Sequence, residues 1–366
     1  MKVEQEAFKP ETLPLDPTRI DMSIIFDALI DACSVFEVYK TKINDSKLNK
    51  IWFLPTLQQK EALASSMLEG TQATLDGVLV DQVSHDNKNK NLIEIRNYDR
   101  ASRFGYKYLS RDDFNDELFL ELHKRIMGDS VRRDFDEIGV YRKKQNYIGK
   151  MNKTHEIVYT PPIYEDVPKY IENLLEYINK PKDTLRPLVR TAIIHAQFET
   201  IHPFMDGNGR VGRILIPLYL YYAKQIDLPY FFISEALERD KMKYYTLLNN
   251  TRTKGQWSEW IKFFLETVTA QCTKYIEIIS KINKLHEKHI EIACDLARSN
   301  QINELANLLY RYPIINAVTV ARETKIPPAS INRYLNLLVE NGILYTDNKS
   351  RNRTFFYYDL LNIIRE

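Results

Sequence analysis

One run of twelve residues gathers nearly all the side chains able to do chemistry: His202-Pro203-Phe204-Met205-Asp206-Gly207-Asn208-Gly209-Arg210-Val211-Gly212-Arg213. His202 is the only nearby group that ordinarily titrates close to neutrality, which makes it a candidate proton acceptor. Asp206 is a hard oxygen ligand suited to a Mg²⁺ that rides on phosphates. The glycines let the backbone come close to a ligand and turn its N–H groups inward. Those N–H groups sit where a helix starts, a natural site for an anion, and phosphate is the obvious one. Arg210 and Arg213 are three apart, so both reach one face of the first helical turn and the same phosphates. A base, a metal carboxylate, an amide cradle and two arginines are the parts needed to transfer a phosphorus centre to a hydroxyl.

Two buried helices must hold this loop. Leu185–Thr200 precedes it, with Leu188, Val189, Ala192, Ile193 and Ala196 at helical spacing, and Val211–Lys224 follows it. That context decides against a dinucleotide fingerprint. Gly207-Asn208-Gly209-Arg210-Val211-Gly212 is formally G-x-G-x-x-G, but that motif must follow a strand. No Walker A sequence and no H-E-x-x-H is present, and His286-Glu287-Lys288-His289 has the wrong spacing for zinc. A second place of interest is Ser65-Ser66-Met67-Leu68-Glu69-Gly70. Leu57 to Glu69 reads as a helix with Gly70 just past its end. Glu69 then faces the negative end of the helix dipole, which costs about 0.3–1 kcal/mol unless a cation compensates. On its own it reads first as a solvated surface glutamate, the usual fate of such residues.

The remaining chain is read more coarsely. Its 366 residues suggest two or three domains, and 44% apolar against 27% charged residues excludes a mainly disordered protein. A net charge of +2 argues against a histone-like nucleic-acid binder. Three scattered cysteines, Cys33, Cys272 and Cys294, argue against a disulfide scaffold or a structural zinc site and favour a reducing, cytoplasmic setting. Neither a signal peptide nor a membrane span is expected. Ile24–Lys40 reads as helix and Val80–Asn91 as loop. Gln145–Pro162 reads as a short hairpin or flap around Lys150–Glu156. Trp257 to about Ala297 reads as one or two long amphipathic helices. In the tail, Glu304–Tyr312, Thr319–Thr324 and Ser330–Asn341 read as helices. Gly342–Tyr345 and Thr354–Tyr358 read as strands around a basic turn, a winged-helix pattern. The expected division is 1–91, 92–270, a helical linker 271–300, and 301–366.

The twelve-residue run resembles the signature of the Fic family, H-x-F-x-[DE]-G-N-G-R-x-x-R, with every fixed position present. The likeness extends to Gly139–Arg142, Gln145–Gly149, Ala196–Ile201, Tyr244-Tyr245 and Gly255–Trp257, and covers about residues 10–270. It implies a mainly α-helical bundle with a short β-hairpin flap, followed by a C-terminal winged-helix domain. It also implies Mg²⁺-dependent transfer of AMP from ATP to a Ser, Thr or Tyr hydroxyl of a protein, including the enzyme itself. His202 would be the general base. Asp206 would hold Mg²⁺, the amides of Gly207, Asn208 and Gly209 would form the anion hole, and Arg210 and Arg213 would hold the β- and γ-phosphates. Ile148 and Gly149 would border the nucleotide, and a flap edge would align the target segment. Tyr244 and Tyr245 are candidates for the adenosine pocket, or else core aromatics. Ser65, Glu69 and Gly70 match the family's inhibitory pattern [ST]-x-x-x-E-[GN]. In that class the glutamate pairs with the second arginine, here Arg213, and restrains the enzyme; some members also remove AMP. A homodimer is plausible from the family. Two alternatives stand beside this reading: transfer of another phosphate-containing group, and a nucleotide-sensing regulator that binds DNA through 301–366. That tail has only eight basic against six acidic residues, a thin footprint for DNA; a protein-contact module is the other reading.

Overall fold

The computed structural model describes residues 6–84, 88–128, 137–149, 157–228, 230–296, 299–347, 349 and 352–366. It is mainly helical, as the sequence predicts. The contacts divide it into two units, each assembled from separate stretches of chain. One unit is 1–34, 64–71 and 93–270; the other is 35–63, 72–92 and 271–366. Helices α1 (Met22–Asn44), α2 (Lys50–Leu68) and α11 (Trp257–Leu296) each contribute residues to both units.

The first unit is built around α7 (Pro187–Ile201) and α8 (Asn208–Tyr222), packed on each other and joined by the residues 202–207. Both helices are almost wholly buried, which explains why their apolar residues run round the whole circumference instead of forming a stripe. Helices α5 (Asp116–Met127), α6 (Val167–Asn179) and α10 (Lys241–Lys254) surround the pair. Asn115 caps α5 through its side chain, which accepts from the Leu118 N–H. The hairpin expected at Gln145–Pro162 is present as β1 (Ile148–Gly149) and β2 (Ile157–Tyr159), antiparallel, with Ile148 opposite Tyr159. Its turn, 150–156, lies outside the described residues. Helices α4 (Lys90–Leu109) and α9 (Ser234–Arg239) complete the elements that contribute here.

The second unit holds α3 (Leu75–Ser84), α12 (Asn300–Arg311), β3 (Ile314–Asn316), α13 (Ala317–Glu323), α14 (Pro328–Glu340), β4 (Tyr345–Thr346), β5 (Thr354–Phe356) and α15 (Tyr358–Arg365). The strands form an antiparallel sheet in the order β3-β5-β4. Neither β3 nor α15 was expected, and Tyr358 opens a helix where a strand was expected. Val80–Ser84 is helical where the sequence suggested loop. Thr74 caps this helix at the Gly77 N–H, and Val78 and Leu79 are buried on its inner face. α2 also begins earlier than expected, at Lys50, with Pro55 inside it. Trp257–Leu296 is one continuous helix. No helix among the described residues is long and apolar enough to cross a membrane.

Candidate active site

The segment 202–213 is shaped by hydrogen bonds that its own residues make. His202 ends α7 in the left-handed conformation, φ 49° and ψ 60°, uncommon for a residue with a side chain and a feature that clusters at functional sites. Gly207, at φ 77°, precedes α8 in the same region, where glycine carries no steric penalty. Between them, the Asn208 side chain accepts from the Phe204 N–H at 2.9 Å and donates to the Phe204 carbonyl at 2.8 Å. Asn208 thus closes the loop on itself. The Asp206 carboxylate accepts from the Gly207 N–H at 2.6 Å. The amides of Asn208, Gly209 and Arg210 form the first turn of α8, where N–H groups have no intrahelical acceptor.

Residues outside the motif hold this loop in place. Arg142 is buried and donates from its backbone to the Pro203 carbonyl at 2.9 Å, and from its guanidinium to the carbonyls of His202 at 3.0 Å and Pro162 at 2.5 Å. Asn146 donates to the Phe204 carbonyl at 3.1 Å, and the Tyr159 hydroxyl to the Thr200 carbonyl at 2.8 Å. One leg of the flap is therefore tied to the motif and the other to the end of α7 that precedes it, with Ile148 half-buried and Gly149 exposed. His123, on α5, stacks on Phe204 at 3.9 Å between ring centres. Its Nδ1 accepts from the Gly139 N–H, so its Nε2 carries the proton and donates to the Asp206 carbonyl at 3.2 Å. Burial pushes this imidazole down to about 4, which keeps it neutral.

His202 is half-buried, and its Nδ1 is enclosed without a hydrogen-bond partner. Burial pushes its pKa down to about 3, the charges of Arg252 and Arg142 acting in the same direction. The imidazole is therefore held neutral, with its proton-accepting nitrogen unprotonated, and is a weaker base than an ordinary histidine.

Both arginines of the motif are buried. Arg213 is fully enclosed. It donates from Nε to the Ser65 hydroxyl at 2.8 Å, and from Nη2 to the Ser65 carbonyl at 2.9 Å and to Glu69 Oε1 at 2.6 Å. Burial opposes its charge most strongly, and Glu69 together with Tyr244, Tyr245 and Glu199 outweighs it, so the guanidinium stays charged. Gly209 makes room for this pair, since a methyl group there would overlap Glu69 Oε1. Helix α2 ends at Leu68, one residue earlier than the sequence suggested, and Gly70 follows at φ 92°. The end of the helix has the compensation its dipole calls for: Lys241 and the Tyr245 hydroxyl donate to the Leu68 carbonyl at 2.7 and 3.2 Å. Ser65, Glu69, Gly70, Gly209 and Arg213 are thus brought together. Arg210 lies against Met127, with its Nη1 3.9 Å from Glu94 on α4.

Tyr244 is placed elsewhere. It is fully buried beneath Trp260, and its hydroxyl donates to His195 Nε2 at 2.9 Å, because His195 Nδ1 already donates to the Gly212 carbonyl at 3.0 Å. Tyr244 packs as a core aromatic. Tyr245 is exposed at the end of α2. Sequence reasoning also missed Glu199, buried behind Gly212, whose missing Cβ would lie 2.6 Å from Glu199 Oε1. Burial raises the Glu199 carboxyl to about 7, in spite of the nearby Arg213 charge. Arg142 and Glu199 both lie in segments noted for their resemblance to the family; His123 and Glu94 carried no signal.

Comparison with known proteins agrees with this geometry. Residues 113–220 match the model of the Fic/DOC family and residues 41–107 that of the Fic/DOC family N-terminal region. The protein adenylyltransferase fic-1 of Caenorhabditis elegans is 32% identical over 131 residues, which are 35% of this chain and 24% of that protein. The protein adenylyltransferase Fic of Drosophila melanogaster is 28% identical over 217 residues, 58% of this chain and 37% of that protein. The chain therefore spans only a quarter to somewhat over a third of these curated relatives. Among solved structures, a Fic family protein from Desulfovibrio desulfuricans superposes with a TM-score of 0.60 at 20% identity, covering 95% of this chain and 98% of that one. A Fic-1 fragment from C. elegans superposes at 0.55 with 19% identity, covering 70% and 73%. From the motif and these matches, residues 41–107 and 113–220 carry the Fic/DOC N-terminal region and the Fic/DOC domain, and the fold is that of Fic family structures.

Proposed function

We propose that this protein transfers AMP from ATP to a hydroxyl side chain of a protein, and that Glu69 restrains it. The observation that carries the reading is the convergence, at the start of α8, of a neutral His202, the first-turn amides and two buried arginines, one of them occupied by Glu69. In this reading the target hydroxyl gives its proton to the His202 imidazole as its oxygen bonds to the α-phosphorus. The bond from that phosphorus to the oxygen bridging the α- and β-phosphates breaks, and pyrophosphate leaves on Arg210 and Arg213. The amides of Asn208 and Gly209 meet the developing phosphate charge. Helix α8 offers them without rearrangement, because Asn208 and Asp206 have already fixed the loop.

The donor set suits Mg²⁺ held jointly with phosphates. The described residues contain no cluster of three or more His, Cys, Asp or Glu that would cage a metal alone, and Asp206 offers one hard carboxylate at the mouth of the helix. When bound, Mg²⁺ would neutralise part of the phosphate charge. Glu69 occupies the guanidinium that the γ-phosphate needs, so ATP enters with its chain misplaced until the pair opens. The flap, tied to the motif at Arg142 and Asn146 and to the end of α7 at Tyr159, is the edge along which a target segment would align. The order β3-β5-β4 with α12, α13 and α14 supports reading 301–366 as a winged helix, and its thin positive charge favours contact with protein over DNA.

The test is label transfer from α-³²P-ATP with Mg²⁺, with γ-³²P-ATP in parallel, by the wild type, Glu69→Gly, and Glu69→Gly with His202→Ala. Transfer of the α-label that rises in Glu69→Gly and vanishes with His202→Ala supports the reading. Label from the γ-phosphate alone would replace it with a kinase-like reaction.

A further inference from the structure

Arg213 has an evident counter-charge in Glu69, but Arg210 is just as buried and needs one as well. Its Nη2 meets only the Met127 sulfur, at 3.6 Å, and its Nε and Nη1 make no hydrogen bond. Glu94 is the carboxylate recorded beside it, with Oε2 3.9 Å from Nη1. That same oxygen accepts a hydrogen bond from the Thr71 hydroxyl at 2.7 Å. Thr71 is itself fixed, because its backbone N–H donates to the Ser66 carbonyl, within the turn that carries Glu69 and Gly70. Arg210, Glu94 and Thr71 thus form one line from the first arginine to the end of α2.

We propose that Glu94 is a positioning residue for Arg210 and that Thr71 in turn positions Glu94, so that the first arginine is aimed at the β-phosphate before the nucleotide arrives. Glu94 stands too far from Arg210 for a tight pair, and its oxygen is already engaged by Thr71. It orients the guanidinium without saturating it, and leaves Nε and Nη1 for phosphate oxygens. A tight pair at this position would block the site, as Glu69 does at Arg213. Because Thr71 belongs to the inhibitory turn, displacement of that whole turn would release Arg213 and loosen Arg210 together. Substitution of Glu69 alone frees Arg213 and leaves Arg210 aimed.

The inference rests on the phosphate-binding role proposed above, and its test requires no transfer. Affinities for ATP and for AMP, each with Mg²⁺, are measured by titration calorimetry in a Glu69→Gly background. AMP lacks the phosphate that Arg210 is assigned. Glu94→Gln and Thr71→Val are each expected to weaken ATP about 5- to 20-fold and to change AMP by less than twofold. Thr71→Ser, which keeps the hydroxyl, is expected to bind ATP like the parent. The double variant Thr71→Val/Glu94→Gln is expected to be no worse than Glu94→Gln, because the two act in series. Unchanged or tighter ATP binding, equal loss of AMP, additive losses, or a Thr71→Ser as weak as Thr71→Val would each overturn the proposal. Absence of α-label transfer with the affinity pattern intact would count against AMP transfer and leave the positioning role standing.

Discussion

Replacement of Glu69 by glycine tests the centre of the site most directly, and the structure sets its size. Arg213 has no exposed surface, whereas the Glu69 side chain is 34% exposed. A hydrogen bond to a charged partner contributes about 1.5–3 kcal/mol to the structure that contains it. Solvent reaches the carboxylate, so screening reduces this to about 1–2 kcal/mol. In the function proposed above, ATP must displace that contact before its γ-phosphate can reach the guanidinium. Removing the carboxylate therefore strengthens productive ATP binding by the same amount, about 5- to 30-fold. The protein itself loses stability by a comparable margin. The loss stays below the 3–5 kcal/mol of an orphaned buried charge, because the Ser65 hydroxyl and carbonyl still accept from Arg213. Calorimetry with Mg²⁺ and ATP, thermal unfolding and α-label transfer read the three consequences. A Glu69→Gly protein that unfolds earlier, yet binds ATP no better and transfers no more label, would show that the pair is structural and that the competition argument is wrong.

Three further outcomes follow from neighbouring contacts. Asn208→Ala strips the Phe204 N–H of its partner and leaves the Phe204 carbonyl only the Asn146 amide; it should cost about 1–3 kcal/mol by thermal unfolding and slow transfer at least about tenfold, because the loop between His202 and α8 is no longer closed. Gly212→Ala places a methyl 2.6 Å from Glu199 Oε1 and 3.2 Å from Phe198 Cδ1, an overpacking worth about 1–3 kcal/mol; Glu199→Ala in the same chain should recover part of that stability. The pH dependences have opposite senses. His202 lies near 3 against an ordinary 6.5, so kcat/KM should show no loss from its protonation until the pH falls below about 5. Glu199 lies near 7 against an ordinary 4.5, so the folded state holds its proton more tightly than the unfolded chain does. Its contribution is therefore greatest below pH 4.5 and should fall by about 3 kcal/mol as the pH rises through 7. Glu199→Gln should flatten that slope in denaturant titrations, and an unchanged slope would assign it to other groups.

The contrast between Arg213 and Arg210 shows which parts of the site are legible in sequence. The loop 202–213 is legible because its glycines, carboxylate and arginines lie side by side, and each answers a local demand: a left-handed turn, a helix start, a phosphate-sized gap. The Glu69 contact joins residues far apart in the chain and is visible only through the family resemblance: the end of α2 calls for a cation, but nothing local names Arg213, and Lys241 is the cation that meets the helix end. Glu94 has no such mark. It is one charged residue on the amphipathic helix α4, and only the packing of α4 beside α8 gives it a role. Glu199 fails for the opposite reason: a glutamate in the buried helix α7 is anomalous, but its partner Gly212 is legible only once α7 and α8 are seen to touch. The same limit applies to secondary structure. β3 is three residues long and exists because Ile314, Ile315 and Asn316 face Phe356, Phe355 and Thr354 on β5. Tyr244 looked like a ligand contact beside Tyr245, although adjacent residues on a helix point about 100° apart. Tyr245 therefore reaches the end of α2 while Tyr244 turns into the core and meets His195. The residues that would meet a nucleotide in the proposed function are thus mostly contiguous in sequence, whereas those that hold them in place come from α2, α4, α5, α7 and the flap. Substitutions in that outer set are where a reading confined to the motif would predict no effect and this geometry predicts a loss.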